Sequence, residues 1–205
     1  MPRRIEVLTT AIREDKAGRA IRVEKEIAFA LENAAFADKV VAGMESGEIP
    51  IRVTHNDTKI NNILFDRQSG KAVCVIDLDT VMPGSMLYDF GDALRMGGST
   101  ALEDETDLDK VCFDVEAFKA FAKGYLSEMK EELTHKELEL LPFSVKLLTY
   151  ECGVRFLTDY LNGDTYFKTQ RPDHNLDRAR NQFQLVADIA AKEAELTNIV
   201  KGLCG

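Results

Sequence analysis

The densest run of chemically able side chains is Thr54-His55-Asn56-Asp57-Thr58-Lys59-Ile60-Asn61-Asn62, and a second lies at Val75-Ile76-Asp77-Leu78-Asp79-Thr80. Asp57 offers a carboxylate that can accept or orient a hydroxyl proton. Lys59 puts a cation beside it. The amide oxygen of Asn62 and the carboxylate of Asp77 suit a hard cation such as Mg²⁺, which takes oxygen ligands and leaves room for phosphate oxygens. A base, a metal site and a cation in one corner are equipment for phosphoryl transfer. An isolated Asp-x-x-x-x-Asn on a loop is ordinary turn chemistry. It gains meaning only if the chain folds back so that Asp77, 15 positions after Asn62, returns to the same place.

The intervening residues do predict such a fold-back. Two short apolar runs, residues 63–65 and 72–76, flank residues 66–71, which include Ser69-Gly70. That pattern reads as a β-hairpin. On the N-terminal side, residues 3–31 carry apolar side chains at three- and four-residue spacings, predicting one or two amphipathic helices broken near Gly18. Residues 34–44 predict a short helix ended by the Gly47 to Pro50 break. Residues 77–98, with Pro83, Gly84, Gly91 and Gly97-Gly98, are expected to be loop-rich. Beyond them three helices are expected. The first spans residues 114–132, with Phe113, Phe118 and Phe121 in the core. The second spans 138–161, started or kinked by Pro142 and stopped by Asn162-Gly163. The last spans 175–199. The acidic run 103–109 is expected to be a solvated surface loop. The reading is one compact domain, mainly α with a small β-hairpin.

Composition bounds the partners. The 205 residues contain 26 basic and 35 acidic side chains, a net charge of −9, with 45% hydrophobic residues. Such acidity argues against broad nucleic-acid binding, which needs Lys and Arg patches. No apolar run approaches the roughly 20 residues needed to span a bilayer, and Arg3-Arg4 lead into no apolar signal core. Cys74, Cys112, Cys152 and Cys204 form no CxxC pair and are expected to be reduced, buried thiols. A cytoplasmic setting follows as the expectation.

The segments His55/Asp57/Asn62, residues 73–77, and Tyr88-Asp89-Phe90-Gly91-Asp92 together resemble the aminoglycoside phosphotransferase and choline kinase-like small-molecule kinases. Their signature is HxDxxxxN, then an apolar strand ending in Asp, then a second acidic segment. Within that group the stretches 54–64, 76–83, 88–95, 151–168 and 171–180 look most like N-acetylhexosamine 1-kinases. The resemblance implies the C-terminal lobe of a protein-kinase-like phosphotransferase fold, with ATP as co-substrate and Mg²⁺ as cofactor. It implies that Asp57 accepts the substrate hydroxyl proton, with His55 bracing the loop and Lys59 facing phosphate. It implies Asn62 and Asp77 as metal ligands, with Asp79 as a further candidate. Arg155 and Tyr166 are implied as sugar contacts, and His174 either lines the sugar pocket or caps the last helix. Asp89 is expected to hydrogen-bond the catalytic loop rather than touch metal, while Asp92 is either a ligand or a brace.

Two other readings stay open at this point. One is a non-catalytic, pseudokinase-like interaction module. The other is a haloacid-dehalogenase-type phosphatase with Asp77 as nucleophile and Asp79 as acid/base, although that fold wants alternating strands and helices. The 13 glycines contain no GxG, and no strand with a phosphate-pairing Lys precedes His55. Residues 1–205 are therefore expected to be a single catalytic and substrate lobe that lacks the N-terminal ATP-binding lobe and is inactive alone. Its expected partners are a small sugar, a nucleotide and that missing lobe.

Overall fold

The computed structural model describes residues 1–205, except for the side chain of Phe36. Helix α1 (Pro2–Glu14) opens on Pro2, whose missing N–H costs nothing in a first turn, and turns Leu8 and Ala11 inward. It ends at Asp15, which adopts a left-handed backbone and accepts the N–H groups of Arg19 and Ala20 at 2.8 and 3.0 Å. Helix α2 (Glu24–Glu32) follows. The helix expected over 34–44 is instead a 3₁₀ turn, Ala34–Phe36, and then α3 (Lys39–Glu45).

Strands β2 (Ile63–Phe65) and β3 (Ala72–Val75) form the expected antiparallel hairpin, with Ile63 opposite Val75 and Leu64 opposite Cys74. A second two-stranded sheet was not expected. In it β1 (Arg52–Thr54) pairs with β4 (Met82–Gly84), Thr54 opposite Met82 and Arg52 opposite Gly84. Three residues are too few to display alternation, and Pro83 reads as a strand breaker unless the strand is an edge. In a two-stranded sheet every strand is an edge.

The larger correction concerns residues 77–98. Most of this segment is helix α4 (Met86–Gly97), capped by Ser85, whose hydroxyl accepts the Leu87 N–H at 3.3 Å. Gly91 suggested a loop but is a packing residue: a Cβ there would stand 2.5 Å from the carbonyl oxygen of Ser144. Helix α4 rests backbone to backbone on α6 (His135–Leu161). That helix begins earlier than expected, on a capping box in which Thr134 and Glu137 satisfy each other's backbone N–H at 3.1 and 2.9 Å. Pro142 therefore lies inside the helix rather than at its start. Helix α5 (Val115–Met129) is capped by Asp114, and α7 (His174–Cys204) closes the chain.

Helix α6 is the pillar, packed along α7, α4 and α1 and buried on nearly all sides, as a central helix must be. Its first half meets Leu87, Phe90, Phe118 and Leu196. Its second half meets Leu8, Ala30 and Phe183, and Tyr150 donates its hydroxyl to the Ala30 carbonyl. Phe113 and Phe118 are core, but Phe121 is exposed at the edge. The cysteines are free, yet only Cys152 is buried, and burial pushes its thiol up to about 12. Cys74 is exposed, because both faces of the hairpin are open. No helix is long and apolar enough to cross a membrane among the described residues.

Gly91→Ala should force α4 off α6 and destabilise the protein by about 1–3 kcal/mol, the usual range for overpacking. Gly97→Ala, where an added Cβ meets nothing within 4 Å, should leave the melting midpoint nearly unchanged. Thermal denaturation of the two variants tests the contrast.

Candidate active site

The two sheets nest, β1 and β4 outside, β2 and β3 inside, so the connecting segments 55–62 and 76–81 face each other. Backbone and side chains lace them together. The Ile76 N–H donates to the Asn62 carbonyl at 2.9 Å. The Thr80 hydroxyl donates to the His55 carbonyl at 2.7 Å, and the Asn56 amide donates to the Thr80 carbonyl at 3.0 Å. Asn56 and Asp77 both adopt left-handed backbone, with φ of 63° and 64°, a region in which Asn and Asp are tolerated because their short side chains bond locally. The fold-back thus sets Asp77 one residue beyond the partner of Asn62.

A third element fixes this pair of loops. Asp89, in the first turn of α4, accepts the N–H of His55 on one carboxylate oxygen and the N–H of Asn56 on the other, each at 2.7 Å. Its own carbonyl accepts the Thr58 hydroxyl at 2.7 Å. His55 is a brace in this arrangement. Its Nε2 lies 3.1 Å from the Ile76 carbonyl, which requires the proton on that nitrogen, while Nδ1 is buried without a partner.

Asp57 emerges from the braced loop. Its Oδ2 receives Lys59 Nζ at 2.6 Å and Asn62 Nδ2 at 2.9 Å, and its carbonyl receives Asn62 Nδ2 at 2.9 Å. Partial burial pushes the Asp57 carboxyl up, but the hydrogen bonds from Lys59 and Asn62 outweigh it and hold the group below the usual carboxylate range. Asp57 is therefore ionised at neutral pH and suited to orienting a hydroxyl more than to strong basicity. Lys59 is spent on Asp57, and its own pKa is raised by that bond.

Asn62 gives its amide nitrogen to Asp57, which keeps its amide oxygen out of that contact. Asp77 lies across the strand pair, with Asp79 beside it in a 3₁₀ turn, Leu78–Thr80. The neighbouring Asp79 carboxyl, close enough to share a proton and repelling its charge, holds the Asp77 carboxyl above its usual range. Two carboxylates that compete for one proton are a fit for a divalent cation in that proton's place. No group of three or more His, Cys, Asp or Glu able to hold a metal ion exists among the described residues. Two carboxylates and an amide oxygen suit Mg²⁺, which keeps waters and phosphate oxygens in its remaining positions.

Asp57 opens on a cleft of about 750 Å³, lined also by Tyr88, Asp92, Arg95, Glu151, Arg155 and the start of α1. Four cations, Arg3, Arg4, Arg95 and Arg155, and three anions, Asp57, Asp92 and Glu151, line it. Asp92 is held by Arg95 at 3.0 Å, and Arg95 reaches on to Glu103 at 2.7 Å. Burial works to discharge the Arg95 guanidinium, and the charges around it, including Asp92 and Glu103, outweigh that. The acidic run is thus not simply solvated. Its Asp104 also binds His174 at 3.0 Å.

Arg155 borders both the cleft and a smaller cavity of about 230 Å³ that includes Tyr166, with its guanidinium 6.0 Å from the Tyr166 ring centre. His174 is placed elsewhere. It is 2% exposed, with Nδ1 accepting the Gln170 N–H at 3.1 Å and Nε2 on Asp104, and it lines neither cavity. Sequence reasoning missed Arg95, Glu151 and the α1 arginines as cleft residues, since nothing in a helical charge pattern says which face meets a cavity.

Asp89→Asn should turn one acceptor into a donor facing a backbone N–H. The expected loss is about 1.5–3 kcal/mol, the worth of a charged hydrogen bond, read by chemical denaturation. If Asp77 holds Mg²⁺, its affinity, measured by calorimetry at stepped pH, should fall on acidification from a higher pH than an ordinary Asp would give, because a proton on Asp77 competes. Asp79→Asn removes the repulsion that raises Asp77, so the fall should move to lower pH while the plateau affinity weakens.

Residues 1–126 match the model of the phosphotransferase enzyme family, designated APH. That is more than half of the 205 residues, and it includes both laced loops and all of α4, with Asp57, Asn62, Asp77 and Asp89. The chain therefore belongs to the APH phosphotransferase enzyme family.

Proposed function

We propose that this chain is the catalytic and substrate-binding lobe of an ATP-dependent small-molecule kinase that phosphorylates the anomeric hydroxyl of an N-acetylhexosamine. The supporting observation is that Asp57 and Arg155, from segments nearly a hundred residues apart, line one cleft of about 750 Å³. A guanidinium fork can hold sugar hydroxyls or an acetamido carbonyl, and the cleft is large enough for a monosaccharide and a transferring phosphoryl group. Asp57 would accept and aim the hydroxyl, with Lys59 and Asn62 keeping its carboxylate fixed. Asn62, Asp77 and Asp79 would hold Mg²⁺, which supplies charge neutralisation on the nucleotide phosphates. Phosphoryl transfer asks mainly for positioning and charge stabilisation, and the arginines of the cleft add to the latter.

The nucleotide cover belongs, in this reading, to a further lobe outside these residues. Ile51, Val53, Leu64, Val73, Leu78 and Met82 on and beside the two sheets are exposed, Val53 at 76%. Exposed apolar side chains in that number around two small sheets call for a cover, and an adenine-binding lobe would supply one. The cytoplasm, a neutral sugar and a nucleotide complete the expected setting, with no nucleic acid and no membrane.

The test is a coupled kinase assay on the full-length protein with Mg²⁺ and ATP. N-acetylglucosamine and N-acetylgalactosamine should give sugar 1-phosphate, and Asp57→Asn should lower kcat by about 10²–10⁴-fold with an unchanged melting midpoint. Residues 1–205 alone should turn over far more slowly. Turnover of an aminoglycoside or an amino alcohol in place of the sugars would overturn the substrate class, and full activity of Asp57→Asn would overturn the assignment of the base.

A further inference from the structure

The loop between α6 and α7 is far better anchored than a connection needs to be. Asp159, 5% exposed in the last turns of α6, points its carboxylate into the loop. Its Oδ1 accepts the N–H of Thr165 at 3.0 Å and of Tyr166 at 2.9 Å, and its Oδ2 accepts the N–H of Phe167 at 2.9 Å. Three successive amides thus close on one buried carboxylate. Asn175 at the start of α7, itself fully buried, donates to the same Oδ2 at 2.9 Å and to Asp164 at 2.9 Å. Asp164, in left-handed backbone, donates its N–H to the Asp159 carbonyl at 2.9 Å and pairs with Arg19 at 2.5 Å.

What this anchoring fixes is the backbone of a residue whose ring is free. Tyr166 is 75% exposed, touching Phe167 edge-on, with Arg155 over both rings at 6.0 and 5.3 Å. These residues, with Thr158 and Asp159, wall the cavity of about 230 Å³ that shares Arg155 with the main cleft. An aromatic ring on a pinned backbone presents contact area to a ligand at little ordering cost. A buried carboxylate facing three amides is a means of setting that backbone before a ligand arrives.

We infer that Asp159 is a positioning residue, which presets Tyr166 and Phe167 against Arg155 as a rigid wall for the acceptor substrate. This rests on the proposed reading that Arg155 holds the acceptor, and it deepens that reading by extending the acceptor site to Tyr166 and assigning Asp159 the role of fixing its backbone. Asp159→Asn puts an amide nitrogen against backbone N–H groups, so the three-amide cradle opens while Asp57 and the metal side are untouched.

The test is a double-mutant cycle in the full-length protein, read as acceptor KM, nucleotide KM and kcat. Asp159→Asn and Tyr166→Ala should each raise acceptor KM by about tenfold while leaving nucleotide KM unchanged, the pattern of lost substrate binding. The double variant should be no worse than either alone, because both remove the same wall. If Tyr166→Ala leaves acceptor KM unchanged, the substrate reading fails. If Tyr166→Ala acts but Asp159→Asn does not, or if their effects multiply, the positioning role is overturned. Should Asp159→Asn not fold, amide hydrogen exchange on the unaltered protein decides: the amides of 165–167 should be protected relative to those of 168 and 169, and fast exchange at all three overturns the inference.

Discussion

Both oxygens of the Asp89 carboxylate are committed to backbone amides of the loop that carries Asp57, at 2.7 Å each. Everything chemical in the molecule is downstream of that contact. The two sheets are too small to hold a loop rigidly, since a two-stranded sheet is marginal by itself. The loop takes its rigidity from α4, and α4 takes its place from α6, against which Gly91 allows backbone contact. The chain of constraint runs from the buried pillar through a glycine contact to one carboxylate, and from there to the loop that carries Asp57. The first turn of α4 is also where a negative charge is favoured by the helix dipole, so Asp89 serves the helix and the loop together.

The charge arrangement follows a similar logic. A chain of net charge −9 would repel nucleotide phosphates at long range. Locally the cleft is different: its arginines outnumber its acids, and Arg95 keeps its charge despite burial because Asp92 and Glu103 flank it. The uncompensated acidity sits at Asp77 and Asp79, where two carboxylates stand together in the open. A cleft rich in arginine thus stands apart from an anionic corner, both within one loop's reach of Asp57. Lys59, shared electrostatically between Asp57 and Asp77, lies at the junction.

Much of this was legible in the sequence, and the reasons differ by element. The hairpin announced itself through apolar runs around Ser69-Gly70, and the long helices through periodicity and the Asn162-Gly163 stop. Hairpin geometry alone led to the expectation that Asn62 and Asp77 come together, and the Ile76 N–H on the Asn62 carbonyl brings their segments side by side. Helix α4 was illegible because glycine has two uses, conformational freedom and close approach, and only the neighbour's backbone tells them apart. β1 and β4 were illegible because their pairing depends on what the inner hairpin does, not on their own three residues. His174 was ambiguous for a related reason. A polar residue before a helix reads the same whether it faces a cavity or, as here, bonds Asp104 and the Gln170 amide.

Asp89 and Asp159 share one device. Each is a carboxylate on a helix that accepts successive backbone amides of a loop, two in the first case and three in the second. Such bonds are charge-assisted and stronger than neutral ones, and they bind the loop's backbone rather than its side chains. The side chains are thereby left free for a ligand. The Lys59 and Asn62 hydrogen bonds to the Asp57 carboxylate both fall on Oδ2, and Tyr166 keeps an exposed ring. A helix-borne acid that grips amides can fix a loop in place without occupying the chemistry the loop presents. In this fold the two acids do so from α4 and α6, helices already locked together at Gly91, so Asp57 and the Tyr166 ring are set relative to one frame.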